Sequence, residues 1–118
     1  MNWQVSKISK DDCVVIVCDH GAFRSRYAYN LMAEKDYSHI DYGGVSQLSL
    51  RRLKAEMLKK ANVIISVHPY ITASLESKYN VGSHQRLIEL DVPDLNFNRG
   101  LRSVYGDLEE QIIVYLSE

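Results

Sequence analysis

Val14-Val15-Ile16-Val17-Cys18-Asp19-His20-Gly21-Ala22-Phe23-Arg24-Ser25 is the stretch on which the fold turns. Its first four residues are apolar and β-branched, which suits a strand buried on both faces. The run stops at Cys18-Asp19-His20-Gly21, a loop. From Ser25 onward Ala28, Leu31, Met32 and Lys35 share one helical stripe, with Tyr27 beside it. A strand, a short loop and a helix in that order open a βαβ unit.

Outward from this stretch the alternation repeats. A second strand is expected over His39 to Tyr42, closed by Gly43-Gly44. A second helix is expected over Ser49 to Ala61, with Leu50, Leu53, Met57 and Leu58 as its apolar face and Arg51, Arg52, Lys54, Lys59 and Lys60 on solvated faces. Val63 to Val67 is a third strand. His68-Pro69 opens a helix that Ile71, Leu75 and Tyr79 continue, proline being favoured in a first turn. Arg86 to Leu90 is a fourth strand, and Leu101, Val104, Tyr105, Leu108, Ile112, Tyr115 and Leu116 mark a last helix at three- and four-residue steps. The order βαβαβαβα predicts an α/β fold, a three-layer α/β/α sandwich around a four-stranded parallel sheet. The first and third strands are apolar throughout and belong at the centre. The second and fourth carry Asp41 and Glu89 and belong at the edges. The sheet order is then 2-1-3-4. Its switch point lies beside the first strand, where open α/β sheets bind ligands, and Cys18 sits there.

Composition narrows the function. The chain has 118 residues, enough for one domain with a core of its own, expected over 1–118. Fourteen Lys and Arg stand against fifteen Asp and Glu, so binding of nucleic acid or anionic membrane by bulk charge is not expected. No apolar run has the length of a membrane span, and Met1 to Asp12 shows no signal-peptide core. The two cysteines, Cys13 and Cys18, are too few for a disulfide scaffold and imply free thiols in the cytoplasm. The four histidines, His20, His39, His68 and His84, have no ligand spacing, and no metal or cofactor is expected.

The loop suggests its own chemistry. A cysteine, five residues and an arginine between a strand and a helix form a phosphate-binding loop that contains a nucleophile. The N–H groups of Asp19, His20, Gly21, Ala22, Phe23 and Arg24 would line an anion nest at the helix N-terminus. The same field favours a thiolate. Arg24 offers a planar fork to two phosphate oxygens, and Ser25 a hydrogen bond to the sulfur. Gly21 tolerates a positive φ in mid-loop. The plainer alternative makes Cys18 a small buried hydrophobe and Arg24 a solvated helix-start residue. His20 is expected to face solvent and His68 to start a helix before it serves as a site wall. Tyr42, Tyr70 and Phe97 are candidates to line a slot for a phenyl ring.

With these residues in view, the chain resembles the low-molecular-weight protein tyrosine phosphatases, and more closely a short bacterial and viral branch of that fold. The family's Cys-x5-Arg-Ser follows its first strand, as Cys18 to Ser25 does here. Asp41-Tyr42-Gly43-Gly44-Val45-Ser46 is similar to the family's small-residue stretch after the second strand. Leu90-Asp91-Val92-Pro93-Asp94 looks like its acid loop. Gly21 stands where the family usually has asparagine, Phe23 where many members have a second cysteine, and Arg26 where proline is common. Val92 separates Asp91 from Pro93 in a loop that usually reads Asp-Pro. The resemblance implies hydrolysis of phosphotyrosine or aryl phosphate monoesters through a phosphocysteine on Cys18. Arg24 would stabilise the transition state, and Asp91 or Asp94 would act as general acid, with Asp91 favoured for its place at the strand end. A phosphorylated protein or small aryl phosphate would be the partner, with phosphate, sulfate or vanadate as loop ligands.

Three rivals stay open. A same-fold arsenate reductase in its thioredoxin-coupled form needs two further cysteines, and Cys13 is the one other thiol. A phosphocarrier of a sugar transport system would not need Arg24. A phosphate- or phosphotyrosine-recognition module with weak activity would fit the altered loop.

Overall fold

The computed structural model describes residues 5–117; the remaining five positions of the 1–118 expectation, and the first four of Met1 to Asp12, lie outside the described residues. Four strands, β1 (Val14–Cys18), β2 (Ile40–Gly44), β3 (Val63–Ser66) and β4 (Arg86–Glu89), alternate with four helices, α1 (Arg24–Glu34), α2 (Ala55–Lys60), α3 (Pro69–Lys78) and α4 (Leu101–Ile112). All strand pairs are parallel and the order is β2-β1-β3-β4, as the alternation predicted. The two central strands are buried at every position, while β2 and β4 are partly exposed.

Chain direction sets the layers. The sequence moves from β1 to β2 on one side, then back across β1 to β3 and on to β4. Right-handed crossovers therefore put α1 on one face and α2 and α3 on the other. After β4 the chain returns to the first face, where α4 packs against α1. Val104, Leu108 and Ile112 form the buried stripe of α4. The helix tightens into a 3₁₀ turn at Ile113–Tyr115, and Leu116 then pairs with Ile8. All four strands run the same way, so Cys18, Gly44, Ser66 and Glu89 end at one rim. No helix among the described residues is long and apolar enough to cross a membrane.

Two expectations are corrected. The second strand does not close at Tyr42 but continues through Gly43-Gly44, opposite Val17 and Cys18. The second helix does not begin at Ser49. The backbone of that segment is engaged elsewhere: Gly44 N–H donates to Arg51 O at 2.8 Å and Leu53 N–H to Gly44 O at 2.9 Å. Helical bonding is thereby diverted until Lys54 caps α2 in an extended conformation. Leu50 is consequently 85% exposed, whereas Leu53 is only 3% exposed. Nor is Arg51 on a solvated helix face. It donates to Asp41 Oδ1 at 2.6 Å and to Tyr42 O at 3.0 Å, and lies over the Tyr42 ring.

This distinction is measurable by urea denaturation. Leu53→Ala is expected to cost about 2–5 kcal/mol by opening a core cavity. Leu50→Ala should change stability by no more than about 0.5 kcal/mol. Equal losses at the two positions would restore the continuous helix.

Candidate active site

The rim loop between β1 and α1 is held from outside. Three successive carbonyls, those of Cys18, Asp19 and His20, accept N–H bonds from Val45, Ser46 and Leu50, each at 3.0 Å. Ser49 Oγ adds a second donor to His20 O at 2.6 Å. In a planar trans peptide the carbonyl and the following N–H point opposite ways. Turning these three carbonyls outward therefore turns the N–H groups of Asp19, His20 and Gly21 inward. Gly21 N–H indeed reaches Cys18 Sγ at 3.2 Å.

Glycine is required at two places in this arrangement. Gly21 has φ +66°, and a Cβ there would meet Arg51 O at 2.6 Å. At Gly44 a Cβ would meet Asp19 O and Gly21 N, both at 2.5 Å, and Ser49 Oγ as well. The backbone of β2 can approach the loop this closely only without side chains. Asp41 holds the approaching segment from below, and its hydrogen bond pushes the Arg51 guanidinium still further toward its protonated form.

Inside the loop, Cys18 is buried and its Sγ lies 3.0 Å from Ser25 Oγ, itself fully buried. The first turn of α1 has no capping side chain and no acidic residue, which leaves its N–H groups for an anion. The Arg24 side chain is 6% exposed. It donates through Nη1 to Val92 O at 2.7 Å, and its Nη2 lies 3.6 Å from Asp94 Oδ2. One small cavity is bordered by Cys18, His20, Phe23, Arg24 and Asp94. It adjoins a larger cavity of about 270 Å³ lined by Asp19, Arg24, His68, Tyr70 and Asp94. His20 itself is half exposed, 3.5 Å from Asp19.

Asp91 and Asp94 part company. Leu90 N–H and Val92 N–H bond to Ser66 O and Val67 O, and both side chains are buried. Strand alternation then sends the residue between them outward. The Asp91 carboxylate is 77% exposed and lies 3.6 Å from His68 Nε2, while Gln111 holds the Asp91 backbone at both its N–H and its C=O. Asp94, two residues beyond Val92, is the carboxylate that borders the Cys18 cavity.

Among the aromatic candidates, Tyr70 lines the larger cavity, as does His68, whose Nδ1 also caps α3 by accepting from Tyr70 N–H. Tyr42 borders a different cavity on the outer side of the loop, and Phe97 is fully exposed. Ser49 and its neighbours were missed as part of the site. The sequence signal for this approach is the Gly-Gly pair, which permits close backbone contact at Gly44.

No protein-family model matches this chain, and no curated protein matches it in sequence. Solved structures do. The tyrosine phosphatase Wzb from Escherichia coli K30, solved in complex with phosphate, superposes with a TM-score of 0.66 at 11% identity, over 84% of this chain and 91% of that one. YfkJ from Bacillus subtilis gives 0.69 at 16% identity, over 96% and 92%. The thioredoxin-dependent arsenate reductase Cg_ArsC1' from Corynebacterium glutamicum gives 0.64 at 12% identity, over 93% of this chain and 59% of that one. At such identities the shared property is the fold. The chain has the three-layer α/β/α fold of the low-molecular-weight tyrosine phosphatases, which an arsenate reductase also adopts.

The outer hold on the loop is testable through its tightest contact. Gly44→Ala should destabilise the protein by about 1–3 kcal/mol, as overpacking does. Gly106→Ala, in the interior of α4 with open space around its Cβ, should be neutral or stabilising by up to about 1 kcal/mol. Thermal melts of the two variants check the contrast.

Proposed function

We propose that this protein is a cysteine-dependent phosphatase acting on phosphotyrosine or aryl phosphate monoesters. The observation that carries the proposal is the convergence of Cys18 Sγ, the Arg24 guanidinium and the Asp94 carboxylate on one cavity at the N-terminus of α1. The fold shared with a tyrosine phosphatase solved with phosphate supports a phosphate ion in the loop.

The mechanism follows from these groups. The phosphate group sits in the loop, its equatorial oxygens held by the inward N–H groups and by the N–H groups of Arg24 not given to Val92. Cys18 thiolate attacks phosphorus as the bond to the aryl oxygen breaks. Asp94, protonated, gives its proton to the leaving phenolate, and a phosphocysteine results. Asp94, now a carboxylate, takes a proton from water as the water oxygen attacks phosphorus. The S–P bond breaks, inorganic phosphate leaves and the thiolate returns. Ser25 Oγ, 3.0 Å from Sγ, donates to that thiolate both as it forms and as it leaves. Asp94 takes the acid role rather than Asp91 because it borders the sulfur's cavity. No metal or cofactor takes part in these steps. Free thiols at Cys13 and Cys18 suit a reducing, cytoplasmic setting.

A relay of disulfides, as in a thioredoxin-coupled reductase, finds poor support. Cys13 precedes β1 and Cys18 ends it, roughly 16 Å apart at strand rise. Disulfide formation needs Cα atoms within about 7 Å.

Hydrolysis of p-nitrophenyl phosphate tests the proposal. Cys18→Ser should abolish turnover. Asp94→Asn should lower kcat by about 10²–10⁴-fold, the range of general acid–base catalysis. Asp91→Asn should leave kcat nearly unchanged. Turnover that survives Cys18→Ser would refute the mechanism, and an aspartate pattern reversed between 91 and 94 would reassign the acid.

A further inference from the structure

The loop that carries Cys18 has two sides of opposite character. On the side toward β4 the cavity walls include Asp19 and Asp94, with Asp91 close by against His68. On the side toward β2 lies a separate cavity of about 380 Å³. Its floor is the outer backbone of Gly21 and Ala22, and Phe23, Tyr42 and Leu50 supply apolar wall. Two arginines border it. Arg51 is already paired with Asp41, but Arg26 is exposed and enters none of the ion pairs found among the described residues. Phe23 borders both this groove and the small cavity at Cys18, so the two are neighbours across one ring.

The apolar surface is distributed unevenly. Ten large apolar residues are exposed among the described residues, and seven of them lie on segments that follow the C-terminal ends of the strands, among them Phe23, Leu48, Leu50 and Phe97. A substrate no larger than an aryl phosphate would occupy the cavities at Cys18 and His68 and leave this surface unused. Apolar residues gathered on the active rim, with a cation set among them, fit a polypeptide that extends beyond its phosphorylated residue.

We propose that the groove formed by Phe23, Leu50 and Arg26 is a substrate subsite that takes an acidic residue flanking the phosphotyrosine of a polypeptide. This rests on the phosphatase function proposed above. The methylenes of a glutamate would cover Phe23 and Leu50, and its carboxylate would meet the uncommitted guanidinium of Arg26. The opposite wall works against the same residue: Asp19 repels an acidic neighbour placed on the β4 side. Attraction on one side and repulsion on the other give the substrate chain an orientation across the rim.

Binding to the Cys18→Ser protein reads the subsite without turnover. Two labelled phosphotyrosyl peptides, identical except for glutamates or glutamines on both flanks of the phosphotyrosine, are titrated by fluorescence polarisation. The glutamate peptide is expected to bind about threefold more tightly or better, in line with an exposed charge pair. Adding Arg26→Glu should erase or invert that preference, and Arg26→Lys should retain part of it. With Cys18 intact, Arg26→Ala, which adds no carboxylate to the first turn of α1, should leave p-nitrophenyl phosphate hydrolysis nearly unchanged, since that substrate does not reach the groove. Equal affinity for the two peptides, or a preference that survives Arg26→Glu, overturns the subsite even if p-nitrophenyl phosphate is hydrolysed. A glutamate preference in a protein that hydrolyses nothing keeps the subsite and overturns the phosphatase function. Failure to bind either peptide overturns both. Absent peptide discrimination, together with Arg26-dependent sedimentation with phosphatidylserine vesicles, overturns the subsite in favour of a membrane surface.

Discussion

The carbonyl oxygens of Cys18, Asp19 and His20 all face away from the cavity, and each is paired there with a donor from the segment after β2. Much of the site depends on this. A peptide unit cannot present both its ends to one side, so the inward direction of three N–H groups follows from the outward hold on three carbonyls. The hold comes from backbone N–H groups, with Ser49 Oγ as a further donor to His20 O, and Gly21 and Gly44 are the two places where the chains nearly touch. The hydrogen bonds that satisfy the loop on its outside thus preorganise its inside, before any ligand arrives.

Such a hold needs a fixed platform, and β1 supplies it. The strand is buried at all five positions, between β2 and β3, so Cys18 enters the rim with no freedom to shift in register. A slip of one residue would turn every side chain of the strand to the opposite face. The parallel pairing of Cys18 with Gly44 also determines where the following segment starts, and hence which of its N–H groups meet the loop carbonyls. Core packing and site geometry are one constraint here: the apolar run that builds the sheet also sets the position of the sulfur.

The pattern of apolar residues made the sheet order legible, because burial on both faces marks β1 and β3 while Asp41 and Glu89 mark the edges. Cys18, Arg24 and Ser25 were legible as a group because their spacing spans a loop that joins a strand to a helix. What periodicity could not convey was the competition for backbone hydrogen bonds. Ser49 to Leu53 has the apolar spacing of a helix, yet its N–H and C=O groups are taken by Gly44 and His20, and tertiary bonding overrides the pattern. The same limit applies to the loop after β4. Asp91 and Asp94 are alike as letters. Only the burial of Leu90 and Val92, each bonded back to the end of β3 or the residue after it, makes the strand alternation continue past Glu89 and turns Asp91 away from the sulfur.

Arg24 joins the two loops that this alternation separates. Its Nη1 is fixed by the Val92 carbonyl, so a residue buried for packing reasons also anchors the guanidinium. The same step in the chain that buries Val92 carries Asp94 over the rim to within 3.6 Å of Arg24 Nη2. A phosphate group entering the loop would face a guanidinium already oriented, since one of its N–H groups is held by protein and the rest remain to be shared between Asp94 and the phosphate oxygens. The Val92-Pro93-Asp94 run accordingly places a carbonyl anchor and a carboxylate on the same arginine.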